Sequence, residues 1–183
     1  GGGLAVVLHH HLWRSRLDCV ELSPAVVAAA TDCFGFATDE RMSLVTGDAA
    51  EVLARTPTGS YDLLLLDLFF DNGETPEHLV TDDFFRLCHS RLTAEGLLAM
   101  NLGARVPGFD QRLATVCAHF RTVYTCWGRG STQVVFATDQ PPIAAFEATH
   151  RAIGLQREHR FPFPYVPWVS RLVLRQPGPE PTL

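Results

Sequence analysis

Four acids stand where apolar runs of the chain end. Glu21 closes RLDCVE, Asp48 follows MSLVTG, Asp67 ends YDLLLLD, and Asp71 comes just after it in LFFD. Ahead of all four the chain opens on Gly1, Gly2 and Gly3. Glycines let a backbone come close to a ligand, and an acid at the end of the following strand can hold the two hydroxyls of a ribose. Glycines of this kind are also what linkers are made of; their combination with Glu21 and a strand favours the nucleoside reading. Asp48, or the backbone N–H of Ala49 beside it, could read the edge of an adenine, although Asp is equally a good helix cap. A carboxylate such as Asp67 could accept the proton of an amine that must be neutral to attack. Neither Ser-His-Asp nor Cys-His spacing stands out, so no covalent nucleophile is expected.

Further titratable groups crowd around 71–83, where Asp71, Glu74, Glu77, Asp82 and Asp83 would suit a cationic acceptor. The plainer alternative is a solvated loop followed by the acidic first turn of a helix. His9, His10 and His11 invite a metal reading. Consecutive helical residues point in different directions, however, so three in a row do not converge on one ion.

Positioning these groups requires alternating elements. Arg16–Glu21 reads as a strand. The SPAVVAAATDCFG stretch reads as a helix with Ser23 as cap, Pro24 at its first position and Gly35 past its end. Met42–Thr46 is the next strand and Ala49–Arg55 a short helix. Tyr61–Leu66 is an unbroken apolar run, the pattern of a strand covered on both faces of a parallel sheet. A helix over Thr81–Leu92, a strand over Gly96–Leu102 and a helix over Asp110–Phe120 follow. TVYTCW and TQVVFAT, joined through GRGS, predict an antiparallel hairpin with strands at Thr122–Trp127 and Thr132–Thr138. Alternating strands and helices imply a doubly wound α/β sheet. Ile143–Ile153 is read as one more helix, RFPFPYVPWVSRLVL as an extended strap, and residues 176–183 as a tail of disordered composition. No second domain is expected within 1–175.

Composition sets outer bounds. The 183 residues are 46% hydrophobic and 19% charged, with a formal net charge of −5. That balance argues against broad nucleic-acid affinity, which needs a basic footprint. No run reaches the length of a membrane span. Five scattered cysteines without a CxxC pair read as reduced thiols of a cytoplasmic protein.

Taken in order, GGG, VELSP, GDAAEVL, YDLLLLD and the D…P-x-H-L-x-T-x-x-F pattern resemble the spermidine-synthase-like branch of class I S-adenosylmethionine-dependent methyltransferases. The resemblance covers about Gly1 to Thr138. It implies a Rossmann-like, mostly parallel sheet closed by an antiparallel hairpin strand, and it reads the chain as lacking the strand that precedes the glycines. It implies S-adenosylmethionine, or its decarboxylated form, as cofactor. Gly1, Gly2 and Gly3 would line the ligand, Glu21 with Leu22 would lie at the ribose, and Asp48 and Ala49 at the adenine. Asp67 would border the cofactor and act on the amine, with Asp71 as a second catalytic acid and His78 near the acceptor mouth.

Two departures separate the chain from the aminopropyltransferases of that branch. Leu4 stands where they carry an acid after the glycines, and DLFFD replaces their D-S-[ST]-D-P loop. Methyl transfer to an amine, small or peptide-borne, is therefore the first expectation and aminopropyl transfer to a polyamine the second. A catalytically silent binding domain is the third. In that case the aromatics of FPFPYVPW could seal a homodimer. No nucleic acid and no membrane partner are expected.

Overall fold

The computed structural model describes residues 2–69, 75–103, 108–128, 132–159, 164 and 166–175. The chain divides into two compact units, residues 1–55 and 56–183.

In the first unit, helix α1 (Gly3–His11) leads to strand β1 (Leu17–Glu21), helix α2 (Pro24–Phe34), strand β2 (Met42–Thr46) and helix α3 (Ala49–Arg55). The strands are parallel, with Leu17 opposite Met42, Cys19 opposite Leu44 and Glu21 opposite Thr46. Side chains alternate along a strand, so Leu17, Cys19 and Glu21 share one face. That face, with Met42 and Leu44, meets Ala30 of α2, Ala5 and Val6 of α1, and the buried ring of Phe36. Glu21 therefore ends an apolar row at the carboxyl edge. The local signals at α2 act as expected. The Ser23 hydroxyl accepts from the Val26 N–H at 3.4 Å, and Gly35 takes φ 67° at the C-terminus, a conformation glycine adopts without a Cβ penalty.

In the second unit, strand β3 (Tyr61–Leu66) is followed by a 3-10 turn (Glu77–Leu79), helix α4 (Asp82–Arg91), strand β4 (Leu92–Gly103), helix α5 (Phe109–His119) and strands β5 (Thr122–Trp127) and β6 (Thr132–Thr138). Helices α6 (Ala145–His159) and α7 (Val166–Val169) precede a last strand, β7 (Val173–Arg175). The sheet order is β3-β4-β6-β5-β7. β3 and β4 run parallel, and the remaining pairings are antiparallel. β3, β4, β5 and β6 lie in one mixed sheet, and the β5–β6 hairpin is antiparallel as its sequence implies.

Three expectations change. Tyr61–Leu66 is not covered on both faces. Leu64 and Leu66 are buried, while Leu63 and Leu65 keep 39% and 42% of their surface: alternate side chains of a strand point to opposite faces, and the face of Leu64 and Leu66 is the covered one. The described part of the strap expected over 160–174 contains helix α7 and runs into β7, which pairs antiparallel with β5 and is pinned by the Arg175 Nε–H donating to Thr125 Oγ1 at 2.9 Å. The helix expected over Ile143–Ile153 is α6, which starts at Ala145 and runs on to His159. The core of this unit centres on Phe85, Leu98, Met100, Leu102, Val116, Val123 and Val135, all essentially inaccessible. Among the described residues no helix is long and apolar enough to cross a membrane. The tail 176–183, with Gly1, Asp71 and Glu74, lies outside the described residues.

Candidate active site

A cavity of about 90 Å³ opens in the first unit, lined by Gly2, Cys19, Glu21, Val26, Phe36 and Leu44 among others. Gly2 reaches it in the left-handed region, φ 76° and ψ −4°, a conformation that would strain any residue with a Cβ. Its backbone lies directly on Phe36: a Cβ placed on Gly2 would stand 2.5 Å from the ring. Gly3 is the first residue of α1, and a Cβ there would meet nothing within 4 Å. Close approach is thus a property of Gly2. Leu4, in the position of the missing acid, is 57% exposed.

Glu21 is held from one side only. Its Oε1 accepts the Ser23 N–H at 2.9 Å, while Oε2 has no partner among the described residues. The Gly47 N–H donates to the Glu21 carbonyl at 3.0 Å, which ties the GDA turn to the same edge. A carboxylate fixed by one oxygen and open at the other is suited to a vicinal diol. Leu22, next along, is 58% exposed.

At Asp48 the side chain takes the plainer of its two roles. Its Oδ1 accepts from the N–H groups of Ala50 (2.8 Å) and Glu51 (3.2 Å), capping α3. The Ala49 N–H, in the first turn, has no intrahelical acceptor and is the group left to meet a ligand edge. Cys19, two residues before Glu21 on the same face, has its thiol pushed up by burial and then by the Asp18 charge. It is a wall, not a nucleophile.

Asp67 lies in the second unit, one residue past β3, with its side chain exposed. The Asn101 Nδ2–H donates to its Oδ1 at 2.9 Å. Asn101 Oδ1 is buried with no hydrogen-bond partner among the described residues, and the exposed acceptor at the carboxyl edge of β3 and β4 is the Asp67 carboxylate. Sequence reasoning passed over Asn101. The signal was an amide at the end of GLLAMNL, the strand parallel to the one that delivers Asp67. His78 falls in the 3-10 turn before α4, and Asp82 and Asp83 form the first turn of α4, which Thr81 caps through the Phe84 N–H at 3.2 Å. Asp82 is engaged by His119 (2.8 Å) and Arg86 (3.6 Å). Of the expected acidic cluster, Glu77, Asp82 and Asp83 serve helix starts, and Asp71 and Glu74 lie outside the described residues.

A glycine turn on an apolar ring, an acid ending the next strand, a GDA turn on the same edge and an antiparallel hairpin in a mixed sheet define the class I S-adenosylmethionine-dependent methyltransferase fold. Human methyltransferase-like protein 13, solved in complex with S-adenosylhomocysteine, superposes on 88% of this chain and 79% of its own, with a TM-score of 0.80 and 28% identity. The human eEF1A lysine and N-terminal methyltransferase is 29% identical over 176 residues, 88% of this chain and 25% of that protein. A polyamine aminopropyltransferase of Vibrio vulnificus is 32% identical over 127 residues, 68% of this chain and 42% of that enzyme. The chain thus spans a quarter to under a half of these two relatives' lengths. No family model matches it. Its relatives are methyltransferase-like and spermidine-synthase-like proteins, as the ordered motifs imply.

Proposed function

We propose that this chain carries the S-adenosyl-binding part of a transferase that moves a methyl group to an amine. The observation that carries the reading is Glu21, fixed through one oxygen and open at the other beside the αL glycine at Gly2. The donor set fits an S-adenosyl ligand: a glycine backbone for the methionine and ribose end, a carboxylate for the diol and the Ala49 N–H for adenine. The 90 Å³ cavity is far below the roughly 300–1,000 Å³ of a complete ligand pocket. Only the sugar end would be enclosed, with the rest lying along the carboxyl edge of β1 and β2.

When bound, the cofactor supplies a carbon activated by sulfonium with a good leaving group. The protein then mainly holds nucleophile and carbon in line, a contribution of up to roughly 7–11 kcal/mol. In the second unit, Asp67 accepts the acceptor amine's proton, and Asn101 fixes the carboxylate through its N–H. Asp71 is the second acid offered for this work. The similarity to an eEF1A lysine and N-terminal methyltransferase supports a protein amine as acceptor. Exposed Leu4 favours methyl over aminopropyl transfer, because nothing there replaces the acid expected for the decarboxylated cofactor. Aminopropyl transfer remains the second reading, supported by the similarity to polyamine aminopropyltransferases and by Asp67. The acidic balance and the free thiols of the described residues support a cytoplasmic location without a nucleic-acid partner, and a homodimer is the remaining element of the proposal.

Calorimetric titration of the full-length protein with S-adenosylmethionine, S-adenosylhomocysteine and decarboxylated S-adenosylmethionine tests it. The expected order places the two carboxylated ligands ahead. Preference for the decarboxylated form would select aminopropyl transfer, and absence of binding by all three would select the silent domain.

A further inference from the structure

The segment between α2 and β2 touches α1 at both ends. Gly35 ends α2 and turns the chain so that Phe36, 5% exposed, lies under Gly2. Three residues later Asp39 folds back on itself, its Oδ1 accepting the N–H groups of Arg41 and Met42 at 2.8 Å each. Its Oδ2 then stands 2.9 Å from His9 Nε2. Arg41 reaches the same ring nitrogen at 2.8 Å and donates to the His9 carbonyl (3.3 Å) and the Leu12 carbonyl (3.5 Å) at the end of α1. The helix is therefore held at its first turn by a ring and at its last by a guanidinium and a carboxylate.

We propose that residues 35–42 form a clamp that positions the glycine turn through α1, with Phe36 and Arg41 as positioning residues for the S-adenosyl ligand. A helix of this length moves as a rigid rod, so fixing both ends fixes the pitch at which the Gly2 backbone meets the cavity. Phe36 supplies the fulcrum, because the Gly2 backbone rests on its ring with no Cβ between them. Arg41 sets the far end by donating to the His9 carbonyl, which the ended helix leaves without its i+4 partner, and by joining the Ser15 N–H on the Leu12 carbonyl. One His9 nitrogen faces both a carboxylate and a guanidinium. It can donate to Asp39 or accept from Arg41 but not both, so the tautomer of the ring decides which of the two contacts is a hydrogen bond. The charged or titratable groups facing that nitrogen in these contacts are Asp39 and Arg41.

This inference rests on the reading of Gly2 and Glu21 as an S-adenosyl site, and its test separates the two. Amide exchange of ligand-free full-length protein is compared for the wild type, Phe36→Ala, Phe36→Leu, Arg41→Gln and Arg41→Lys, together with S-adenosylhomocysteine affinity by calorimetry. Phe36→Ala and Arg41→Gln are expected to lower protection across residues 5–12 at least severalfold while α3 keeps its own. They should weaken S-adenosylhomocysteine binding by roughly tenfold. Phe36→Leu should restore most of both losses, and Arg41→Lys only part, since the ammonium donates from a single nitrogen where Arg41 reaches the two carbonyls from two. If Phe36→Ala fails to fold, Arg41→Gln and Phe36→Leu still carry the comparison. Unchanged protection in α1, or a loosened α1 with undiminished affinity, overturns the clamp. Failure of the wild type itself to bind S-adenosylhomocysteine overturns the cofactor reading instead, while the exchange pattern still decides whether the clamp exists.

Discussion

Removing the Glu21 carboxylate should weaken S-adenosyl binding by a predictable amount. One of its oxygens is already used on the Ser23 N–H at 2.9 Å, so the ligand receives the other. A hydrogen bond to a charged group contributes about 1.5–3 kcal/mol, or roughly tenfold to a hundredfold in dissociation constant. Glu21→Gln keeps an oxygen for Ser23 and should leave the start of α2 intact while losing the charge. Glu21→Ala loses both, and should add a stability loss of about 1 kcal/mol from the unpartnered N–H. Calorimetry with S-adenosylhomocysteine gives the affinities, and thermal melting without ligand separates the two effects. Both substitutions should weaken binding, Glu21→Ala at least as much as Glu21→Gln, and only Glu21→Ala should lower the melting temperature of the free protein. Unchanged affinity in two folded variants would remove Glu21 from the site.

Asp67→Asn should leave cofactor affinity in place and lower saturated turnover by roughly 10²–10⁴, the usual effect of a lost general base; weakened cofactor binding with turnover intact would make Asp67 a cofactor ligand. Phe85→Ala, at a side chain with no exposed surface, should cost about 3–5 kcal/mol in chemical denaturation, and a loss below about 1 kcal/mol would contradict the assigned core. Burial pushes the Cys88 thiol up to about 12, so maleimide should label exposed Cys33 in the native protein and Cys88 only after unfolding; fast native labelling of Cys88 would refute its burial. The backbone N–H groups of Arg41 and Met42 hold the Asp39 carboxyl below its ordinary value. Its contribution is therefore present above roughly pH 4 and is lost as pH falls through the folded value. Asp39→Asn should flatten that acid-side loss in a pH series of melting temperatures, and an identical acid limb would remove Asp39 as its source.

What could be read from the sequence was decided locally. Ser23, Pro24 and Gly35 bracket α2 because caps act within one turn, and the β2, α3, β3, β5 and β6 ranges follow from unbroken patterns between turn residues. β7 was not legible: three residues in a proline-rich stretch carry no period, and their pairing depends on β5 and the Arg175–Thr125 hydrogen bond, which joins residues far apart in the chain. The exposure of Leu63 and Leu65 was hidden for a related reason, since an apolar run does not say which faces helices will cover. Among the candidate site residues, Glu21 was legible as an acid at a strand end, and it does end β1. The engagement of Asp48 in capping was one of two readings that GDA allows equally. Asn101, Phe36 and the His9–Asp39–Arg41 group act through contacts between distant segments, and residue type alone does not announce them.

The most direct measurement is a crystal structure of the full-length protein with S-adenosylhomocysteine. The account predicts ribose hydroxyls on the free oxygen of Glu21, the Gly2 backbone against the methionine and ribose end, and the Ala49 N–H at the adenine edge. A ligand bound elsewhere, or a ribose turned away from Glu21, would contradict it.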